Sequence, residues 1–356
     1  MTNSQSPRKK PVVSVKAAFG AGNRARLLEQ YFAEHQKPSA ATAWQHVYDL
    51  LLWIDQTTGL AHCYESDKSQ PGKHWYPRSL AFHAWLADTL GVSPDALGGR
   101  LDWLFRRATL DLAQSLLAKR DRVNARAQQQ RAPFESRQMP RPGEDPELVA
   151  IVREVLKDHL QDEPTSDKWR ELVERVRQHV SLENKRKNLV GEGFEDVIAE
   201  IVRRTSTAGT AEVRTRQLLQ TIPGFANERK GEKPNKVDLI VLGSDQHRPR
   251  LVTAKWSIRA DREKQFQTEF TSYLNAKSDN KPFDYVLVTN EFDPARLVRA
   301  CEFMAANAHM FSEVVHINTS GLVAAYGPGP EDSMKKVIEY VQSGRLISLE
   351  KWLSRI

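Results

Sequence analysis

The most constraining stretch of this chain is a pair of short apolar runs. Val237-Asp238-Leu239-Ile240-Val241-Leu242 and Leu251-Val252-Thr253-Ala254-Lys255-Trp256 flank a polar segment containing Gly243 and Pro249. Each run is too short for a typical helix and rich in aliphatic and β-branched residues, so the two read as strands joined in a hairpin. Around them the pattern alternates. A helix opens at Gly191-Glu192-Gly193-Phe194-Glu195, with Phe194, Val197, Ile198 and Ile201 as its apolar positions. After the hairpin come a helix over 261–276, a strand at Tyr285–Thr289, a helix from Pro294 to about 306 and a strand at Val314–Ile317. That succession predicts an α/β domain.

The N-terminal third has a different period. Helices are expected over 43–53, over 77–90 with Gly91 as terminator, and through 119, where Leu101, Leu104, Phe105, Ala108, Leu112 and Leu116 form an apolar stripe. Trp44, Trp53, Trp75, Trp85 and Trp103 cluster in this region and read as core mass. Residues 128–146, rich in Gln, Pro and Arg, read as a linker, and helices resume over 147–160 and 166–180. The expected organisation is a polar basic lead-in (1–20), a helical N-terminal domain (21–127), a linker and helical bridge (128–180) and the α/β domain (181–356).

No run of apolar residues is long enough to span a bilayer, and no apolar h-region follows the basic N-terminus, so neither a membrane span nor a secretory signal is expected. Two distant cysteines, Cys63 and Cys301, offer no disulfide framework and fit a reducing cytoplasm. The net charge of +7 permits a polyanionic partner. Between Arg100 and Pro142 ten Arg or Lys stand against four acids, a segment suited to phosphate contacts or to an ordinary solvated face. His62, Cys63, His74 and His83 match no usual zinc spacing and read as packing or surface residues.

The hairpin also carries chemistry. Asp238 begins one strand and Lys255 ends its partner, so antiparallel pairing brings carboxylate and ammonium to the same end of the ribbon. Divalent metals held by carboxylates, with a lysine nearby, suit phosphodiester hydrolysis. Solubilising edge charges would give the same pair. The continuation from Thr253, T-A-K-W-S-I-R-A-D-R-E-K-Q-F-Q-T-E, is more specific, because it fits [ST]-x-K-x3-R-x-D-R-x6-E.

With that pattern the segment over about 185–320 resembles the restriction endonucleases that recognise sites built on a central CCGG, within the PD-(D/E)XK superfamily. The resemblance implies a PD-(D/E)XK core behind a mostly helical N-terminal domain. It implies that Asp238 ligates metal, that Lys255 is the active-site lysine, and that Glu269 is the second metal-ligating acid, displaced onto the helix. It further implies that Arg259, Asp261 and Arg262 read bases, and that the superfamily's upstream helix glutamate falls on Glu195, with Glu192 as second choice. Mg²⁺ as cofactor, double-stranded DNA as partner and a homodimer or higher homo-oligomer follow from the same resemblance. Val237 stands where proline often precedes the aspartate, and Thr253 where the group has Ser. Two alternatives stay open: a PD-(D/E)XK nuclease of repair or phage defence with another target, and a DNA-binding protein that no longer cuts.

Overall fold

The computed structural model describes residues 14–65, 67–134, 136–137, 146–156, 164–206, 211–226, 235–243, 248–259, 263–278, 282–305 and 307–356. The chain divides into two compact units, one of residues 1–20 and 109–189, the other of residues 21–108 and 190–356. Most of the helical N-terminal domain expected over 21–127, residues 21–108, therefore shares a unit with the sheet.

Six strands form one mixed sheet in chain order: β1 (Ala211–Leu218), β2 (Lys236–Gly243), β3 (Arg250–Lys255), β4 (Asp284–Thr289), β5 (Glu313–His316) and β6 (Leu346–Ser348). The first three pair antiparallel. From β3 onward the pairing is parallel, with helices in the crossovers. Strand β4, flanked by parallel neighbours, is buried from Tyr285 to Thr289. That explains why its sequence is a continuous apolar run rather than an alternating one. The hairpin expectation holds for β2 and β3, whose register sets Leu239 opposite Val252 and Ile240 opposite Leu251.

The helices of the first segment, α1 (Ala21–Glu34), α2 (Ala43–Leu51) and α3 (Tyr76–Leu90), bury Leu27, Tyr31, Tyr48 and Phe82. Gly91 ends α3 in the left-handed conformation, φ +64°, as its position suggested. Helix α4 (Trp103–Arg131) runs four residues into the stretch read as linker, and α5 (Pro146–Leu156) follows. The largest departure is α6, one helix from Ser166 to Thr205, where two were expected. Gly191 and Gly193 lie inside it rather than opening a new helix. Each glycine costs about 1 kcal/mol relative to alanine. The fully buried face of Phe194, Val197, Ile198, Ile201 and Val202 offsets that cost.

Beyond the hairpin, α7 (Glu263–Ala276) connects to β4 and α8 (Pro294–Glu302) to β5. The Asp293 side chain caps α8 by accepting from the backbone N–H groups of Ala295 and Arg296. This helix ends at Glu302, short of the expected 306, because Met304-Ala305 pairs with Ala308-His309 instead. Helices α9 (Thr319–Tyr326), α10 (Asp332–Ser343) and α11 (Leu349–Leu353) complete the chain. Helix α9 packs on α3 so tightly that a Cβ on Gly321 would sit 2.6 Å from the Trp85 ring. No helix among the described residues is long and apolar enough to cross a membrane.

Candidate functional site

The register of β2 and β3, continued by one pair, sets Asp238 opposite Thr253. Lys255 lies two residues further on the same face, diagonal to Asp238, which is within reach of a long side chain. The Lys255 Nζ donates to Asp238 Oδ2 at 2.6 Å. The same oxygen accepts from Thr253 Oγ1 and from the Ala254 backbone N–H, each at 3.2 Å. Both charged side chains keep some solvent access, 22% for Asp238 and 16% for Lys255. The expected meeting of carboxylate and lysine at one ribbon end is therefore present.

Two glutamates lie within electrostatic range of this pair. Glu269, on α7, is half-buried, accepting from Tyr285 Oη at 3.0 Å and from Gln265 Nε2 at 2.7 Å. Burial pushes its carboxyl above the usual range; the Asp238 charge adds to this, while Gln265 and Lys255 oppose it. Glu195, on α6, is pushed up to about 7 by burial and then by the Asp238 charge. Asp238 thus acts electrostatically on both acids. Glu192, one helical turn earlier, pairs instead with Arg24 at 2.8 Å and is 65% exposed, so of the two candidates Glu195 is the one shown to respond to the Asp238 charge.

Sequence reasoning missed Arg216 of β1. Its Nη1 donates to Glu195 Oε2 at 3.0 Å and its Nη2 to Asp196 Oδ1. The register pairs Thr215 with Leu239 and Gln217 with Val237 but breaks between them, where Arg216 would face Asp238. There the Arg216 backbone is left-handed, φ +50°, a strained state for a residue with a Cβ. The second Asp196 oxygen accepts from Arg24 Nε at 2.7 Å, and Arg24 is almost wholly buried. The helical segment therefore braces α6 one residue from Glu195. Nothing in the local pattern A-E-V-R-T-R-Q-L marks the second arginine over the first.

Arg259 is exposed, four residues beyond Lys255. Asp261 and Arg262 lie outside the described residues. Parts of the basic stretch have structural partners: Arg100 pairs with Asp49 at 2.9 Å, and Arg106 donates to the carbonyls of Gly98 and Gly99. Of the histidine and cysteine group, His83 accepts from Ala61 N–H and its other ring nitrogen meets the Pro94 carbonyl. His62 stacks on Trp53 and buried Cys63 contacts Ser79, all packing roles.

Among the described residues, no three His, Cys, Asp or Glu side chains are gathered closely enough to hold a metal ion. Asp238 and Glu269 nonetheless offer only carboxylate oxygens beside one lysine, with no nitrogen or sulfur ligand. Mg²⁺ is held by one or two carboxylates together with water and phosphate oxygens, a demand this pair fits chemically. No family model matches the chain, and no curated protein matches it.

Proposed function

We propose that this chain is a metal-dependent DNA endonuclease with a PD-(D/E)XK core, a type II restriction enzyme cutting both strands of a palindrome that contains CCGG. The observation that carries the reading is the Asp238–Lys255 pair, diagonal neighbours on adjacent strands, with Glu269 and Glu195 near enough to respond to the Asp238 charge. Asp238 and Glu269 are the residues that would hold Mg²⁺. The bound cation would offset charge on the phosphate oxygens and make a water more acidic. Lys255 brings a fixed positive charge to the place where negative charge develops. Its bond to Asp238 fixes the ammonium's direction. The Arg259 fork suits the O6 and N7 acceptors of guanine; Asp261 and Arg262, next in sequence, suit the cytosine amine and a second guanine. A two-fold target calls for a homodimer, one site per strand.

The deciding experiment is a plasmid digest in Mg²⁺ with sequencing of every end. Discrete fragments whose ends all derive from CCGG are expected; a smear, or ends without CCGG, would refute the specificity. A second reading, DNA binding without cleavage, draws on one contact: the Lys255 ammonium is paired directly with the Asp238 carboxylate. A complex formed without metal that persists through a Mg²⁺ chase, with no nicking, would favour it.

A further inference from the structure

We infer that Glu291 is a positioning residue that fixes the turn carrying Arg259, and that Glu65, from the helical segment, holds Glu291 in place through Arg296. The inference rests on the recognition role proposed for Arg259. Glu291 follows β4 and is 3% exposed. Its Oε2 accepts from the Ile258 backbone N–H at 2.6 Å, and its Oε1 from the N–H groups of Phe292 and Asp293 at 2.9 and 2.8 Å. One carboxylate therefore ties the end of β4 to the residue immediately before Arg259. A backbone bond from Asn290 N–H to the Trp256 carbonyl, 3.0 Å, runs alongside. Ile258 is buried while Arg259 is exposed, so the anchored residue directly precedes the first of the recognition side chains.

A buried carboxylate needs more than one kind of partner. Arg296 Nη1 lies 3.5 Å from Glu291 Oε2 and donates to Glu65 Oε1 at 2.7 Å, so this nitrogen is shared between the two acids, while Nε lies 3.5 Å from Asp293 Oδ2. Tyr48 Oη donates to Asn290 Oδ1 at 2.9 Å, a second contact from the helical segment to the same turn. Burial pushes the Glu291 carboxyl up, and the backbone donors and Arg296 act against that push. A base-reading fork must be held within a small angular range to make two bonds at once, and loops achieve this only when braced. The helical segment thus contributes to specificity by bracing the reader, with no contact to DNA of its own required.

The test uses the full chain with Glu291→Gln and Glu65→Gln. In Glu291→Gln an amide NH₂ replaces the acceptor facing Ile258 N–H, so a charge-assisted bond is lost. Hydrogen exchange at 256–259 is expected to quicken by about tenfold with β3 and β4 unchanged. In competition binding with Ca²⁺, the preference for CCGG over single-base variants should fall by about tenfold in Glu291→Gln and about threefold in Glu65→Gln. Glu65 is 36% exposed, so its variant tests the relay without disturbing the core. Combined with Arg259→Ala, Glu291→Gln should lower the preference no further than Arg259→Ala alone. Unchanged exchange at 256–259 in Glu291→Gln, or an equal rise across the whole sheet, overturns the positioning role. A wild-type chain with no preference for CCGG refutes the proposed function, while the exchange result still decides the role of Glu291.

Discussion

Arg216 allows a stability test that does not depend on what the protein binds. Its backbone sits at φ +50° in mid-strand, and its guanidinium spans Glu195 and Asp196, whose side chains are only 12% and 11% exposed. Removing the guanidinium deletes two charge-assisted bonds, about 1.5–3 kcal/mol each at full strength. Because the Arg216 side chain is itself 34% exposed, the lower end applies, and Arg216→Ala should cost about 3 kcal/mol in total. Alanine keeps the Cβ and with it about 1–2 kcal/mol of left-handed strain. Arg216→Gly loses the same bonds but sheds the strain, less about 0.5–1 kcal/mol for the extra freedom of glycine in the unfolded chain. Glycine should therefore be more stable than alanine by about 0.5–1 kcal/mol, the reverse of the order at an ordinary strand position. Urea denaturation of the two variants, followed by tryptophan fluorescence, reads the difference as a shift in midpoint. If alanine equals or exceeds glycine, the strain argument at this register break is wrong.

Asp238→Ala should abolish cleavage while keeping specific binding in Ca²⁺, since it removes a metal ligand and no base contact; cleavage at the wild-type rate would defeat the site assignment. Glu269→Ala should be inactive, and adding Thr253→Glu should restore part of the rate by returning an acid to the strand face beside Asp238; full activity of Glu269→Ala alone would place the second acid elsewhere. Arg262→Ala should reduce discrimination among CCGG variants by about 1–3 kcal/mol per contact, whereas Arg126→Ala should weaken binding to all duplexes alike and flatten the salt dependence; an unchanged ratio in Arg262→Ala would make that residue a phosphate anchor. Burial holds His316 down to about 4, so the folded state binds fewer protons than the unfolded state below about pH 6.5. Stability from this group should be complete above about 6.5 and fall by about 3 kcal/mol as the pH drops to about 4. His316→Gln should flatten that part of the pH profile of the urea midpoint, and an unaltered slope would count against it.

The hairpin and its charged pair were legible because a strand's two-residue period and the ends of its apolar runs fix which side chains converge. Asp238 and Lys255 needed no tertiary information beyond the pairing of β2 with β3. Arg216 was not legible: a left-handed residue inside a strand is a backbone state, and the surrounding alternation of β1 is too polar to announce even the strand. The long α6 was misread because Gly191 and Gly193 look like an opening, while the burial that outweighs them is tertiary. Glu291, two residues past the strand expected at 285–289, was not legible as a site residue, because its role depends on a contact with Ile258 that spacing does not encode.

The unit that contains the sheet is assembled from two stretches of chain far apart in order of synthesis. Its ties include Tyr48 to Asn290, 242 residues apart, Arg296 to Glu65, 231 apart, and Arg78 to Glu331, 253 apart. At a translation rate of about 5–20 residues per second, α2 emerges roughly ten to fifty seconds before Asn290 is made. During that interval Tyr48, Phe82 and the Trp85 ring have no sheet and no Gly321 to cover them. The helical segment cannot complete its own core as a nascent fragment, and these long closures place the protein among slow folders. A truncated chain ending before β4 should be held by chaperones or aggregate, although every one of its first three helices is present.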